Sequence, residues 1–156
     1  EIDLRSEVKL ESSPLGEDIV FKHLICSAYD EFIYRDPPED IRELMEMFAE
    51  ESNYPIYYHC YGGADRTEMV TFMLGAILGL DDKTLLHEYE QTLIAALNPD
   101  MRRSRWGELF HRFVEAMDRP EFGEGELSER SLVFLQKRVG LSEETIQKIR
   151  SNLLEV

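Results

Sequence analysis

The residues whose types and spacing can do chemistry lie in one segment, His59-Cys60-Tyr61-Gly62-Gly63-Ala64-Asp65-Arg66-Thr67. Pro55 to His59 before it reads as a strand, and Thr67 to Leu80 after it as a buried helix. A glycine-containing loop between the two can turn its backbone N–H groups inward, and the helix adds the positive end of its dipole. That recipe suits an oxyanion with the charge and shape of phosphate. Gly62 and Gly63 permit the unusual backbone angles of such a cradle. Arg66 offers a planar fork that pairs two oxygens at once. The amides of Tyr61, Gly62, Gly63, Ala64, Asp65 and Arg66 are the expected binding surface. Cys60 sits at the centre of the positive field, where thiol pKa values fall to about 3.5–7.5 and the thiolate becomes a nucleophile. Thr67 can donate a hydroxyl hydrogen bond to the sulfur when it leaves, and His59 is placed to orient and tune the loop. A bare C-x5-R spacing carries little weight and fits a structural thiol beside an ordinary helix-start cation. The flanking His59 and Thr67, the glycines and the strand–loop–helix context give it meaning.

The elements that must hold this loop are legible as alternation followed by helices. Glu1 to Arg5 and Ile19 to Ile25 read as two further strands, with Ile2 and Leu4 alternating with polar residues in the first. Asp36 followed by Pro37 reads as an N-cap and first-turn proline for a helix with Ile41, Leu44, Met45 and Phe48 on one face. Thr67 to Leu80 is apolar nearly all round, the pattern of a helix in the middle of a domain. Leu85, Leu86, Tyr89 and Leu93 form one later stripe after an Asp81-Asp82 start, and Leu109, Phe110, Phe113, Val114 and Met117 another. Gly123 and Gly125 mark a loop, and Gly140 with Ser142 separates two closing helices. The expected fold is α/β: a small, mainly parallel sheet with a C-terminal helical subdomain, in one domain over residues 1–156. Because the chain opens on Glu1 without a signal pattern, an N-terminal portion is expected to precede it and to supply further strands.

Composition narrows the partners. Of 156 residues, 32 are acidic and 17 basic, a formal net charge of −15 that opposes binding to nucleic acid or to anionic lipid. No apolar run reaches the roughly 18 residues of a membrane span; the longest, Met69 to Leu80, is broken by Thr71, Gly75 and Gly79. Two cysteines make no disulfide framework, so a cytoplasmic location is expected, or a secreted one if a signal peptide precedes the chain. His23, His87 and His111 have no metal-ligand spacing, and neither a metal nor an organic cofactor is expected. Arg102, Arg103 and Arg105 form a basic island that reads as a solvated helix start, with the mouth of the site as the alternative. Tyr57 and Tyr58 read as core and sheet packing.

The loop resembles the H-C-x5-R-[S/T] signature of the cysteine-dependent protein tyrosine and dual-specificity phosphatases. It is most similar to the bacterial branch with H-C-x-x-G-x-D-R-T-G loops. The I-D-L-R-S-E opening and the terminal G-L-S-E-E-T-I-Q-K-I-R-S-N-L-L look like that branch too. An Asp before the Arg is also seen in phosphoinositide phosphatases of the myotubularin and Sac types. The resemblance implies phosphomonoester hydrolysis through a phosphocysteine intermediate, acting on phosphotyrosine protein, with phosphoinositide or phosphoserine/threonine as the alternatives. It also implies a general acid from a loop at the sheet edge, where Asp30 matches, Asp36 is the runner-up and Asp65 can instead orient the water. The pattern is broken at Glu68, where the branch has Gly; a carboxylate there is expected to oppose a dianion, which motivates a catalytically silent phosphate-binding module as the rival reading. A sulfur-transfer or arsenate-reducing enzyme is the other rival. Cys26 follows the second strand as Cys60 follows the third, so it is read as core packing, with a resolving cysteine as the alternative.

Overall fold

Cys60 is positioned by three short parallel strands: β1 (Ile2–Asp3), β2 (Lys22–His23) and β3 (Tyr58–His59), in the order β2-β1-β3. Ile2 lies opposite Lys22 and Tyr58, and Asp3 opposite His23 and His59. The computed structural model describes residues 1–6, 10–96 and 105–154. Pairing extends slightly beyond the strands, with Leu4 N–H donating to His59 C=O at 2.9 Å and Leu24 N–H to Asp3 C=O at 3.0 Å. The expected strands over 1–5, 19–25 and 55–59 are longer than the paired segments. The central strand sets that limit, because the next amide, Arg5 N–H, turns back to the Asp3 carboxylate at 3.0 Å. Asp3 is fully buried, and Arg5 satisfies it through Nε at 2.8 Å and Nη2 at 2.7 Å.

The helices are α1 (Tyr29–Tyr34), α2 (Pro38–Ala49), α3 (Arg66–Leu78), α4 (Asp82–Ala96), α5 (Arg105–Met117), α6 (Leu127–Phe134) and α7 (Glu143–Leu153). Leu135–Val139 continues α6 as a π-helical turn that stops at Gly140. As its composition predicts, α3 is the central helix, with Met69, Val70, Phe72, Met73, Leu74 and Ile77 all buried. It packs against α1, α4, α6 and α7. Gly75 permits the close approach of α4, since a Cβ there would stand 2.4 Å from Leu85 Cδ2. None of the described helices is long and apolar enough to cross a membrane.

Three expectations are corrected. The short helix α1 occupies what reads as a loop, and no side chain caps its N-terminus. Packing on α5 and α3 holds it, with Tyr29, Phe32 and Ile33 buried. Asp36 is not the N-cap of α2; Pro37 takes that position, and the Asp36 carboxylate accepts from Ser27 N–H at 2.7 Å and Ser27 Oγ–H at 2.6 Å. Leu86 faces solvent while Leu85 and Tyr89 of the same stripe are buried.

Phe72 joins α3 to α5 through an edge-to-face contact with Phe113, centroids 5.2 Å apart. Phe72→Ala is expected to cost about 3–5 kcal/mol in urea unfolding. An unchanged midpoint and slope would show that α3 is not anchored through this aromatic cluster.

Candidate active site

Where β3 ends, the chain enters a loop that returns at Arg66 as the first residue of α3. Cys60 is 8% exposed at the start of that loop. Gly63 takes φ 73°, a left-handed conformation that favours glycine. Burial pushes the Cys60 thiol up, but hydrogen bonds from the Thr67 hydroxyl and the amides of Thr67, Gly63 and Gly62 outweigh it. The thiol is left below its ordinary pKa. The Thr67 hydroxyl is buried and, among the described residues, is engaged by no group other than the sulfur. A thiol in such a field is biased toward its thiolate, the form that can act as a nucleophile, and the amides around it can hold the oxygens of a tetrahedral anion.

The neighbours fix the loop from both sides. His59 Nε2–H donates to Glu1 Oε1 at 2.7 Å, and His59 Nδ1 lies 3.2 Å from the Cys60 carbonyl oxygen. Tyr57 is largely exposed and stacks on the His59 ring at 5.2 Å, while Tyr58 packs on Phe48 and meets the Thr71 hydroxyl at 2.9 Å. Tyr61 is 67% exposed at the rim, with the Arg5 guanidinium 5.3 Å from its ring centroid. Ala64 is buried, and Asp65 precedes α3 with its carboxylate accepting from the Tyr29 hydroxyl at 2.7 Å.

A cavity of about 560 Å³ opens beside the loop, lined by Cys26, Asp30, Asp65, Arg66, Leu109 and Arg112 among others. Asp30 sits at the second position of α1 and is ion-paired to Arg112 Nη2 of α5 at 2.7 Å. The structure therefore brings Asp30 and Arg66 to one cavity. Asp36 does not line it; Asp36 holds the Ser27 turn, and burial pushes its carboxyl up.

Cys26 is a free, buried thiol in the cavity wall, pushed up by burial. Cys26 follows β2 and Cys60 follows β3, and a charge on Cys60 adds to the upward push on Cys26. The burial of Cys26 fits its reading as core packing. Arg102 and Arg103 lie outside the described residues, and Arg105 begins α5. Among the described residues no cluster of three His, Cys, Asp or Glu side chains could hold a metal.

Glu68 is the main correction. Its carboxyl is 4% exposed and turned to α4, where it meets Thr92 and Glu88 and lines an apolar groove on that side. It does not face the anion seat. The sequence reading also missed Tyr29, Tyr89 and Arg112, which reach the site from α1, α4 and α5. The aromatic run around Tyr29 carries no local mark of a polar role, and Arg112 is indistinguishable from a surface cation.

A parallel sheet under helices, with a buried thiol leading from its edge into an amide-lined loop, defines an α/β fold of the tyrosine phosphatase kind. Residues 3–155 match the tyrosine phosphatase family, and the chain belongs to it. Membership supports a phosphatase function with phosphorylated substrates. No curated protein and no solved structure gives a significant match.

Burial raises the Glu68 pKa, with Thr92 opposing and Glu88 adding to the shift. The folded state thus keeps its proton to higher pH than the unfolded state does. That contribution to stability is fully present below the unfolded pKa of about 4.3 and is lost as pH rises through the folded value. Glu68→Gln is expected to flatten the decline of stability above pH 4 in urea titrations and to leave phosphatase kinetics unchanged. A large gain in kcat/KM would place the carboxylate at the phosphate after all. Thr67→Val is expected to move the pH midpoint of Cys60 alkylation by iodoacetamide upward; an unmoved midpoint would remove the hydroxyl from the thiolate's support.

Proposed function

We propose that residues 1–156 form one phosphatase domain, a phosphomonoester hydrolase working through a phosphocysteine intermediate, with phosphotyrosine protein as its substrate. The observation that carries this reading is a thiol lowered in pKa although it is buried, at the mouth of a helix that begins with Arg66. The Cys60 thiolate attacks phosphorus in line, forming the S–P bond as the bond from phosphorus to the leaving oxygen breaks. Arg66 and the amides of residues 61–66 stabilise the equatorial oxygens. Asp30 gives its proton to the leaving oxygen. It then takes a proton from the water that attacks phosphorus and breaks the S–P bond, so the thiolate returns with Thr67 supporting it. Arg112 must release Asp30 for each transfer, since the two are paired at rest. His59 orients the loop through its contacts with Glu1 and the Cys60 carbonyl.

Ile25, Tyr29 and Leu109 give the cavity apolar wall area that suits an aryl ring. A phosphoinositide substrate is the second reading, favoured by Arg112, a cation at the mouth suited to a second phosphate. The silent-module reading loses its motive, because the Glu68 carboxyl packs on α4. The two free thiols fit a reducing compartment such as the cytoplasm.

Cys60→Ser is expected to reduce turnover of phosphotyrosine peptides to background while inorganic phosphate still binds. Asp30→Asn is expected to lower kcat by about 10²-fold or more on the same peptides. Substantial turnover by the serine variant would end the cysteine mechanism. Faster turnover of phosphoinositides than of any phosphopeptide would replace the substrate class and keep the chemistry.

A further inference from the structure

Among the described residues Tyr29 is the one non-glycine residue with a left-handed backbone, φ 57°. A bulky aromatic residue resists that conformation, so the surroundings must enforce it. Its ring is 4% exposed, and its hydroxyl donates to Asp65 Oδ1 at 2.7 Å. Tyr89 of α4 donates to the Tyr29 hydroxyl at 3.3 Å and meets its ring edge-on, centroids 6.5 Å apart. The Tyr29 hydroxyl is thus an inward-facing donor inside the domain, joining three elements. Burial pushes its pKa up and keeps it protonated.

Both ends of this contact lie in the proposed machinery. Asp65 is the residue before α3, yet its carboxylate makes no cap bond to that helix. A carboxylate turned into an anion-binding loop would repel the anion. At the other end, Tyr29 immediately precedes Asp30, and both line the cavity that Arg66 shares.

Resting on the phosphatase reading above, we propose that Tyr29 is a positioning residue that latches the Asp30 segment to the phosphate loop by holding the Asp65 carboxylate. The latch does two things at once. It fixes where the proton donor stands, and it keeps a negative charge inside the loop aimed at a hydroxyl instead of at the substrate.

The test compares the full chain with Tyr29→Phe, Asp65→Asn and the double variant. Two aryl phosphates are used: phenyl phosphate, whose poor leaving group needs a proton, and para-nitrophenyl phosphate, whose good one hardly does. Inorganic phosphate binding is titrated by calorimetry, and the thermal midpoint reports folding. Tyr29→Phe is expected to lower kcat/KM on phenyl phosphate about tenfold more than on para-nitrophenyl phosphate, because kcat/KM reports the step that expels the leaving group and not the later hydrolysis that both esters share. Its phosphate Kd is expected to rise about threefold or more, and to return toward wild type in the double variant. Equal losses on both esters with no rescue by Asp65→Asn would make Tyr29 merely structural and overturn the proposal. Wild-type kcat/KM on both esters and wild-type phosphate affinity in Tyr29→Phe would overturn it equally. If the wild type turned over neither ester, the phosphatase reading would fall, and the phosphate titration alone would decide the latch. Weakening rescued by Asp65→Asn would support it, and an unchanged Kd would overturn it.

Discussion

A buried sulfur that is more acidic than an exposed one is the constraint on which this fold turns. Taking Cys60 out of water disfavours its charge, and only a ring of donors converging on one atom reverses that. The amides of Gly62, Gly63 and Thr67 converge because Gly63 adopts a left-handed turn and because α3 starts at Arg66. Neither holds unless β3 delivers Cys60 at the right depth, which its parallel register with β1 ensures. Nor does it hold unless α3 stays fixed behind the loop. That is why the apolar surface is concentrated on α3, and why Gly75 lets α4 lie so close.

Electrostatics then works locally against the whole. A chain with a net charge of −15 repels a phosphorylated partner at long range. Near the cavity the charges are arranged differently. Arg66 and Arg112 reach it directly, and Arg5 lies over the Tyr61 ring at the rim. The carboxylates that line it are engaged: Asp30 by Arg112, Glu31 by Arg35, Asp65 by Tyr29. Such pairing lets a dianion meet amides and guanidinium in a site whose acids are already turned to partners. Screening at physiological salt, over about 8 Å, shrinks the distant repulsion more than these contacts.

How much of this was legible depended on whether the cause was local. The Cys60–Thr67 loop and the buried helix after it could be read directly, since residue type and spacing carry the chemistry and the apolar pattern carries the burial. The parallel sheet followed from alternation, although the two-residue ladder depends on Arg5 folding back onto Asp3. Helix α1 was invisible because it is six residues long, uncapped and rich in aromatics, and exists through packing on α5. Asp36 was misread because an Asp-Pro pair has the chemistry of a cap, whereas Ser27, nine residues back, offers two donors. Glu68 was misread for a rotational reason. One residue along a helix turns the side chain by about 100°, so Thr67 faces the sulfur and Glu68 faces α4. The partnership of Tyr29 with Asp65, 36 residues apart, leaves no local trace.

The central claim is covalent: phosphorus is carried for part of each cycle on the Cys60 sulfur. Rapid quenching of the enzyme with a radiolabelled phosphotyrosine peptide, followed by proteolysis and mass mapping, tests it most directly. The account predicts a phosphoryl group on the peptide containing Cys60, appearing in a burst that approaches one per active site. Turnover at the same rate with no label on that peptide, or with the label on another side chain, would contradict it.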